Sequence, residues 1–493
     1  IPIAAISYFA HQLPTFSLSP ADISQLKIVH GSCRKAHGKG YDTLPIVDEL
    51  ILQNADSPDD RPHQLFFTGD QIYGDDVADP FLGALTSVGE ALLGWKEPLP
   101  ISSPTALSDV ALTPEQLKPG QRNHVVEAEA GFTAGIHNKP ECANSHLLGF
   151  SEYVAAYAYV WSPVLWSITT FPDGQSLGLS KKAAKQWNNQ VQELKRFAET
   201  LWKVRRSLAN IPVYMIFDDH DISDDWNLNQ AWCLRVLGKP LGRRAVQNGM
   251  LAYAIFQAWG NTPEQFQPGK PGAELLKATE QWSASEGTDQ PAWNAIARYL
   301  GMPPQDPMTG LPHLETDGDC FVLDHDPCAL TWNYTVHGTC HEVIVLDTRT
   351  WRGFPIHDKA TAPPKLLCPS AFDHQLKHPL AETSDAASNV ELTLIVAPTN
   401  LFSLWCIDLI QHYNLRQHKV YQNDVGDAWN IHKAALARFV AYLFEQRRQV
   451  VVLSGDIHYG SAVRLEYWET PSLQDSHPET ERSPYILVQR TSS

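Results

Sequence analysis

Four apolar runs along this chain each end abruptly in a short polar knot, usually opened by glycine. Leu26 to His30 runs into Gly31-Ser32-Cys33-Arg34, and Gln64 to Thr68 into Gly69-Asp70-Gln71-Ile72-Tyr73. Val213 to Phe217 runs into Asp218-Asp219-His220-Asp221, and Gln449 to Ser454 into Gly455-Asp456-Ile457-His458. An unbroken apolar run of this length suits a strand buried on both faces. In open α/β sheets, sites form beyond the carboxyl ends of such strands. The region from Leu44 to Gln53 has Leu44, Val47, Leu50 and Ile51 on one helical face, so the first two strands are joined as a right-handed βαβ unit.

The same periodicities predict helices over Gly149–Tyr159, Lys181–Leu208, Ala245–Trp259 and His432–Gln446. Further strands are predicted over Tyr334–His337, Glu342–Asp347, Leu392–Ala397, Ala462–Trp468 and Tyr485–Gln489. Periodicity fades over residues 80–149 and 260–330, where Pro, Gly, Ser and Thr accumulate. These read as insertions, the first a candidate lid. Residues 1–25 read as a lead-in, and 26–493 as one layered α/β domain of two packed sheets with helices outside.

Composition narrows the classes. Apolar residues are 43% and charged residues 19% of the 493, enough for a large core. The net charge of −17 argues against a broad nucleic-acid or anionic-lipid footprint. An anionic substrate stays open, because bound cations invert a local field. No stretch approaches the roughly 20 apolar residues of a membrane span. The eight cysteines form no CxxC pair, and Cys320, Cys328, Cys340 and Cys368 cluster closely enough for a disulfide or a zinc site. With no initiator Met and no secretory signal visible, the chain is expected to be processed or excised from something longer, and its compartment stays open.

The knots carry the chemistry. Asp70 follows a strand directly and Tyr73 lies three residues on; a carboxylate can bridge two cations, and a phenolate is a hard donor for ferric iron. A tight turn with a packed tyrosine is the alternative. Asp218, Asp219 and Asp221 crowd His220, an arrangement that is costly without cations to neutralise it. Asp456 and His458, two apart on extended chain, fall on one side. Cys33 is either a thiolate ligand or a small core residue.

Taken in order, Gly31-Ser32-Cys33, Gly69-Asp70-x-x-Tyr73, Asp218-Asp219-His220-Asp221, the segment LDTRTWR from Leu346 to Arg352 and Ser454-Gly455-Asp456-x-His458 resemble the motifs of the metallophosphoesterase (calcineurin-like) superfamily, and within it the PhoD-like alkaline phosphatases. The resemblance implies a four-layer α/β/β/α sandwich carrying the Pro-rich insertions. It implies a binuclear or trinuclear centre with Fe³⁺ held by Cys33, Asp70, Tyr73 and His458. Asp70 would bridge to a second site, where Asp219 and Asp456 take Ca²⁺ or another divalent cation such as Zn²⁺ or Mn²⁺. It implies His220 at the leaving group, Arg34 and Arg349 on the phosphate, and Asn400 near a further ligand position. The activity implied is hydrolysis of phosphate mono- or diesters by in-line attack of a metal-bound hydroxide. Nucleotides, phospholipid headgroups and teichoic-acid-like polymers are candidate diesters, and a non-catalytic binding scaffold is the remaining alternative. The family allows a periplasmic or secreted setting. Against the family pattern, the small β-domain that often precedes the catalytic part is expected to be absent or reduced to the first 25 residues, and a C-terminal lid is expected to be missing.

Overall fold

The computed structural model describes residues 6–101, 112–132, 142–384, 389–421, 425–468 and 484–492. Among these the strands, in chain order, are β1 (Ile28–Gly31), β2 (Gln64–Phe67), β3 (Val213–Met215), β4 (Leu314–Asp317), β5 (Cys320–Leu323), β6 (Tyr334–His337), β7 (His341–Val345), β8 (Phe354–Pro355), β9 (Leu392–Val396), β10 (Gln449–Ser454), β11 (Ser461–Tyr467) and β12 (Tyr485–Thr491). Strands β1, β2 and β3 form a parallel sheet in that order. A six-stranded sheet runs β11-β12-β10-β9-β7-β6. Its four central strands are parallel, and β11 and β6 close the edges antiparallel. A small antiparallel sheet, β4-β5-β8, was not visible in the sequence pattern.

Side chains along a strand alternate between faces, and the cores follow that alternation. Phe66 of β2, Val343 and Val345 of β7, Leu394 and Val396 of β9 and Leu453 of β10 share one large core. Their neighbours Leu65 and Phe67 pack instead with Val47 and Ile51 of helix Ile46–Gln53. Ile344, Ile395, Val450 and Val452 pack with Phe439 and Leu443 of helix Lys433–Gln446. The central strands of the three-stranded parallel sheet and of the six-stranded sheet are therefore buried on both faces, which is why they read as continuous apolar runs.

The Pro-rich stretches contain regular structure. Helices Asp79–Leu93, Pro271–Ala284 and Gln290–Tyr299 occupy ground where periodicity had faded. In each, a proline sits in the first two helical positions, where its missing N–H costs nothing, so residues that read as breakers are helix starters. Residues 102–111 and 133–141 of the first expected insertion lie outside the described residues. The long amphipathic helix is two, Lys181–Glu199 and Leu201–Leu208, divided at Thr200. Arg122 and Glu152, both fully buried, pair at 2.7 Å, and Glu152 also accepts the backbone N–H groups of Leu148 and Gly149. The cysteines Cys320, Cys328, Cys340 and Cys368 are all free thiols.

Candidate metal centre

The loops after β1, β2, β3 and β10 meet, and two glycines allow it. A Cβ on Gly69 would lie 2.5 Å from the Asp218 Cβ, and one on Gly455 would lie 2.4 Å from the Ser32 Oγ. The residues behind those glycines take the left-handed backbone that side chains normally avoid: Asp70 has φ 54° and Asp456 φ 65°, and Cys33 shares it at φ 55°. Such outliers cluster at functional sites because the surroundings must hold them in place. The Cys33 N–H donates to Gly69 O and the Arg34 N–H to Asp70 O, at 3.3 and 2.9 Å, tying the first two loops together.

Asp70 is fully buried, and neither of its carboxylate oxygens has a hydrogen-bond partner among the described residues. A buried ionised carboxylate left this way is costly. Two sets of donor atoms gather around it, each within 4.8 Å of one another: Asp70, Asp219 and His220, and Asp218, Asp219 and Asp456. Asp219 belongs to both sets. Burial, then the charges of Asp219, Asp218 and Asp221, push the Asp70 carboxyl well above the usual carboxylate range, although His220 opposes them. Burial pushes Asp218 up to about 7. Asp219 is also buried, but Arg349, His220 and Arg352 outweigh burial and lower it. Burial and the Asp70 charge raise both the Cys33 thiol and the Tyr73 phenol well above their usual values. Four carboxylates, Asp70, Asp218, Asp219 and Asp456, with a thiol and a phenol beside them form a donor set that fits cations, whose charge would offset the repulsion and ionise the donors.

His220 stacks on Tyr73 at a ring separation of 4.5 Å, and its Nδ1 bonds Asp75 at 2.8 Å. Asp75 and Asp219 raise the His220 pKa well above its usual value against the opposing effect of burial. Asp221 faces away from the donor sets and works as a clamp. Its two oxygens accept the N–H groups of Asp70, Gln71, Ile72 and Asp218 at 2.9–3.2 Å.

The expected residues are not all brought together. His458 lies on the exposed side of the loop after β10 and enters neither donor set. The two arginines are held by protein carboxylates. Arg34 bonds Asp42 through Nε and Nη2, bonds Val160 O through Nη1, and stacks over Phe197 at 4.5 Å. Arg349 is completely buried, pairing with Asp218, with Asp219 at 3.2 Å and with Asp427 at 2.6 Å. Arg352 braces Asp427 from its other side at 2.7 Å. Asn400 is buried, and its amide donates to Phe402 O. A cavity of about 300 Å³ opens beside Cys33 and is lined by Lys35, Tyr41 and Arg196 as well.

Asp75 and Asp427 were not singled out from the sequence. The Asp75-Asp76 doublet two residues after Tyr73 was a visible signal for the first. Asp221 stood inside a recognised knot but read as a charge rather than as a backbone acceptor. Nothing around Asp427 marks it.

No family model matches the chain, and no curated protein sequence does. Among solved structures it is similar to one described as "Structure of PhoD", with 11% sequence identity and a TM-score of 0.40. The match covers 98% of this chain and 58% of that one. A likeness this distant leaves the chemistry to the geometry of the residues themselves.

Proposed function

We propose that this chain is a metal-dependent phosphoesterase that hydrolyses phosphate mono- or diesters. The observation that carries the reading is Asp70, a buried carboxylate with both oxygens unpartnered, beside an Asp219 shared by two donor sets. Cys33, Tyr73, Asp70 and Asp219 would hold one cation, Fe³⁺ by the character of the thiolate and phenolate. Asp218, Asp219 and Asp456 would hold a second, with Ca²⁺, Zn²⁺ and Mn²⁺ the candidates for an all-carboxylate set. The geometry favours Asp219 over Asp70 as the bridge. Cations bound here supply a water of lowered pKa and neutralise phosphoryl charge.

The chain's own groups do the rest. Asp75 engages the His220 Nδ1, which leaves Nε2 to carry a proton to the departing ester oxygen. Arg349 and Arg352 act as fixed counter-ions that keep Asp218, Asp219 and Asp427 in place, rather than as phosphate ligands. Arg196, on the cavity beside Cys33, is the cation best placed to draw in an anionic ester, since Lys35 on the same cavity is paired with Asp76. The four-layer α/β/β/α arrangement accompanies this reading, supported by the core shared between the two sheets and the helices packed on their outer faces.

The test is elemental analysis of the purified protein beside hydrolysis of p-nitrophenyl phosphate and bis-p-nitrophenyl phosphate. Stoichiometric metal with nitrophenol release is expected, and both are expected to be lost in Asp70→Asn. Full hydrolysis by Asp70→Asn, or a protein that takes up no metal on reconstitution, would overturn the reading.

A further inference from the structure

We infer that the chain has a second ligand site, a pocket for a small organic oxyanion built around Arg243. A cavity of about 640 Å³ lies between the start of helix Pro240–Tyr253 and helix Gln290–Tyr299, and none of the donor residues of the carboxylate centre lines it. Its volume falls within the range of small-molecule sites, roughly 300–1,000 Å³.

Three arginines line the cavity, and two of them are satisfied. Arg244 pairs with Glu97 at 3.0 Å and stacks on the Trp293 ring at 3.8 Å. Arg298 pairs with Asp326 at 2.8 Å. The other acid on the wall, Asp324, bonds His313 at 2.8 Å. Arg243 has no such partner. Its Nη1 is shut off from solvent without a hydrogen bond, and no carboxylate among the described residues pairs with it. Burial pushes it down to about 10, with no acid acting in the other direction.

Buried charges are normally paired. The chain has 55 acidic residues against 38 basic ones, so a counter-ion was easy to supply from within, yet among the described residues none pairs with Arg243. An arginine kept unpaired on a cavity wall is a binding group whose counter-ion comes from outside. The guanidinium fork matches phosphate or carboxylate oxygens two at a time. Trp293, Met302 and Pro327 give the same cavity an apolar side, which fits the organic part of the ligand.

The experiment is calorimetric titration of sulfate and of phenylphosphonate, which cannot be hydrolysed at an ester bond, into the wild-type protein and Asp70→Asn, each with and without Arg243→Gln or Arg243→Lys. Because the metal centre can itself take a phosphonate, the site is read in Asp70→Asn, where phenylphosphonate is expected to bind, and Arg243→Gln in that background is expected to bind it about tenfold or more weakly, the loss of one charge-assisted pair. Arg243→Lys keeps the charge without the fork and is expected to fall between. Tighter binding of phenylphosphonate than of sulfate marks an organic anion. Equal binding of the two overturns the organic part of the proposal. Removing an unpaired charge does not impair folding, so Arg243→Gln is expected to melt at or above the wild-type temperature without ligand and to gain less from added phenylphosphonate. Binding to Asp70→Asn that ignores Arg243→Gln, or binding that disappears in Asp70→Asn, would overturn the site.

Discussion

Asp221→Asn tests whether the backbone clamp, and not only the metal donors, builds the centre. In the native protein Oδ1 accepts from Gln71 and Ile72, and Oδ2 from Asp70 and Asp218. An asparagine is nearly the same shape but has only one oxygen. Its NH₂ must face two N–H donors that were previously bonded. Two hydrogen bonds to a charged acceptor are lost, each worth about 1.5–3 kcal/mol, so the variant should be destabilised by roughly 3–6 kcal/mol. That is a large share of the 5–15 kcal/mol typical of a folded domain. Burial raises Asp221 to about 7, so the comparison belongs at pH 8.5, where the wild-type carboxylate is ionised. The assay is urea denaturation followed by circular dichroism, with metal content measured on the same samples. Because the clamp sets the left-handed turn at Asp70, metal should be lost along with stability. A cost below about 1 kcal/mol with metal retained would refute the reasoning, since four backbone donors would then be shown to need no shared acceptor.

Other outcomes follow from the same geometry. Gly69→Ala puts a methyl carbon 2.5 Å from the Asp218 Cβ at φ +120°, so thermal unfolding should report a loss of roughly 2–5 kcal/mol, with reduced metal content. Asp75→Asn removes the carboxylate that holds His220 protonated; activity should fall away at lower pH on the alkaline side of the rate profile, while metal content is unchanged. His30 is lowered to about 4 by burial and by Arg490, below its unfolded value of 6.5. The unfolded chain therefore takes up a proton that the native one refuses, and stability is lost as pH falls from 6.5 toward 4. Urea midpoints measured across that window should drop less steeply in His30→Leu, by up to about 1.4 kcal/mol per pH unit.

The strand ends were legible because two local signals coincide there, an unbroken apolar run and a polar knot at its carboxyl end. β2 and β10 begin where the pattern places them. The helices at Asp79 and Pro271 were not, because proline has opposite meanings at a helix start and in its interior, and the residues themselves do not say which applies. The same limit governs the site. Side chains within a knot could be named, but their direction could not: Arg349 and Asp221 turn toward protein partners, and His458 lies exposed outside both donor sets, for reasons set by residues far away in sequence. Asp427 reaches Arg349 only through the tertiary fold.

Asp219 leaves the three-stranded sheet, and Asp456, with which it shares a donor set, leaves the six-stranded one. That set exists only where the two sheets are seated against each other. A cation bound there would work as a rivet across that seam. Chelation should then be felt as motion: amides in the loops after β3 and β10 exchanging faster with solvent, and doing so together, while those in the strand centres stay protected. Loss of such a metal would then be a loosening of the joint between the two sheets, with occupancy of the site and rigidity of the fold rising and falling as one quantity.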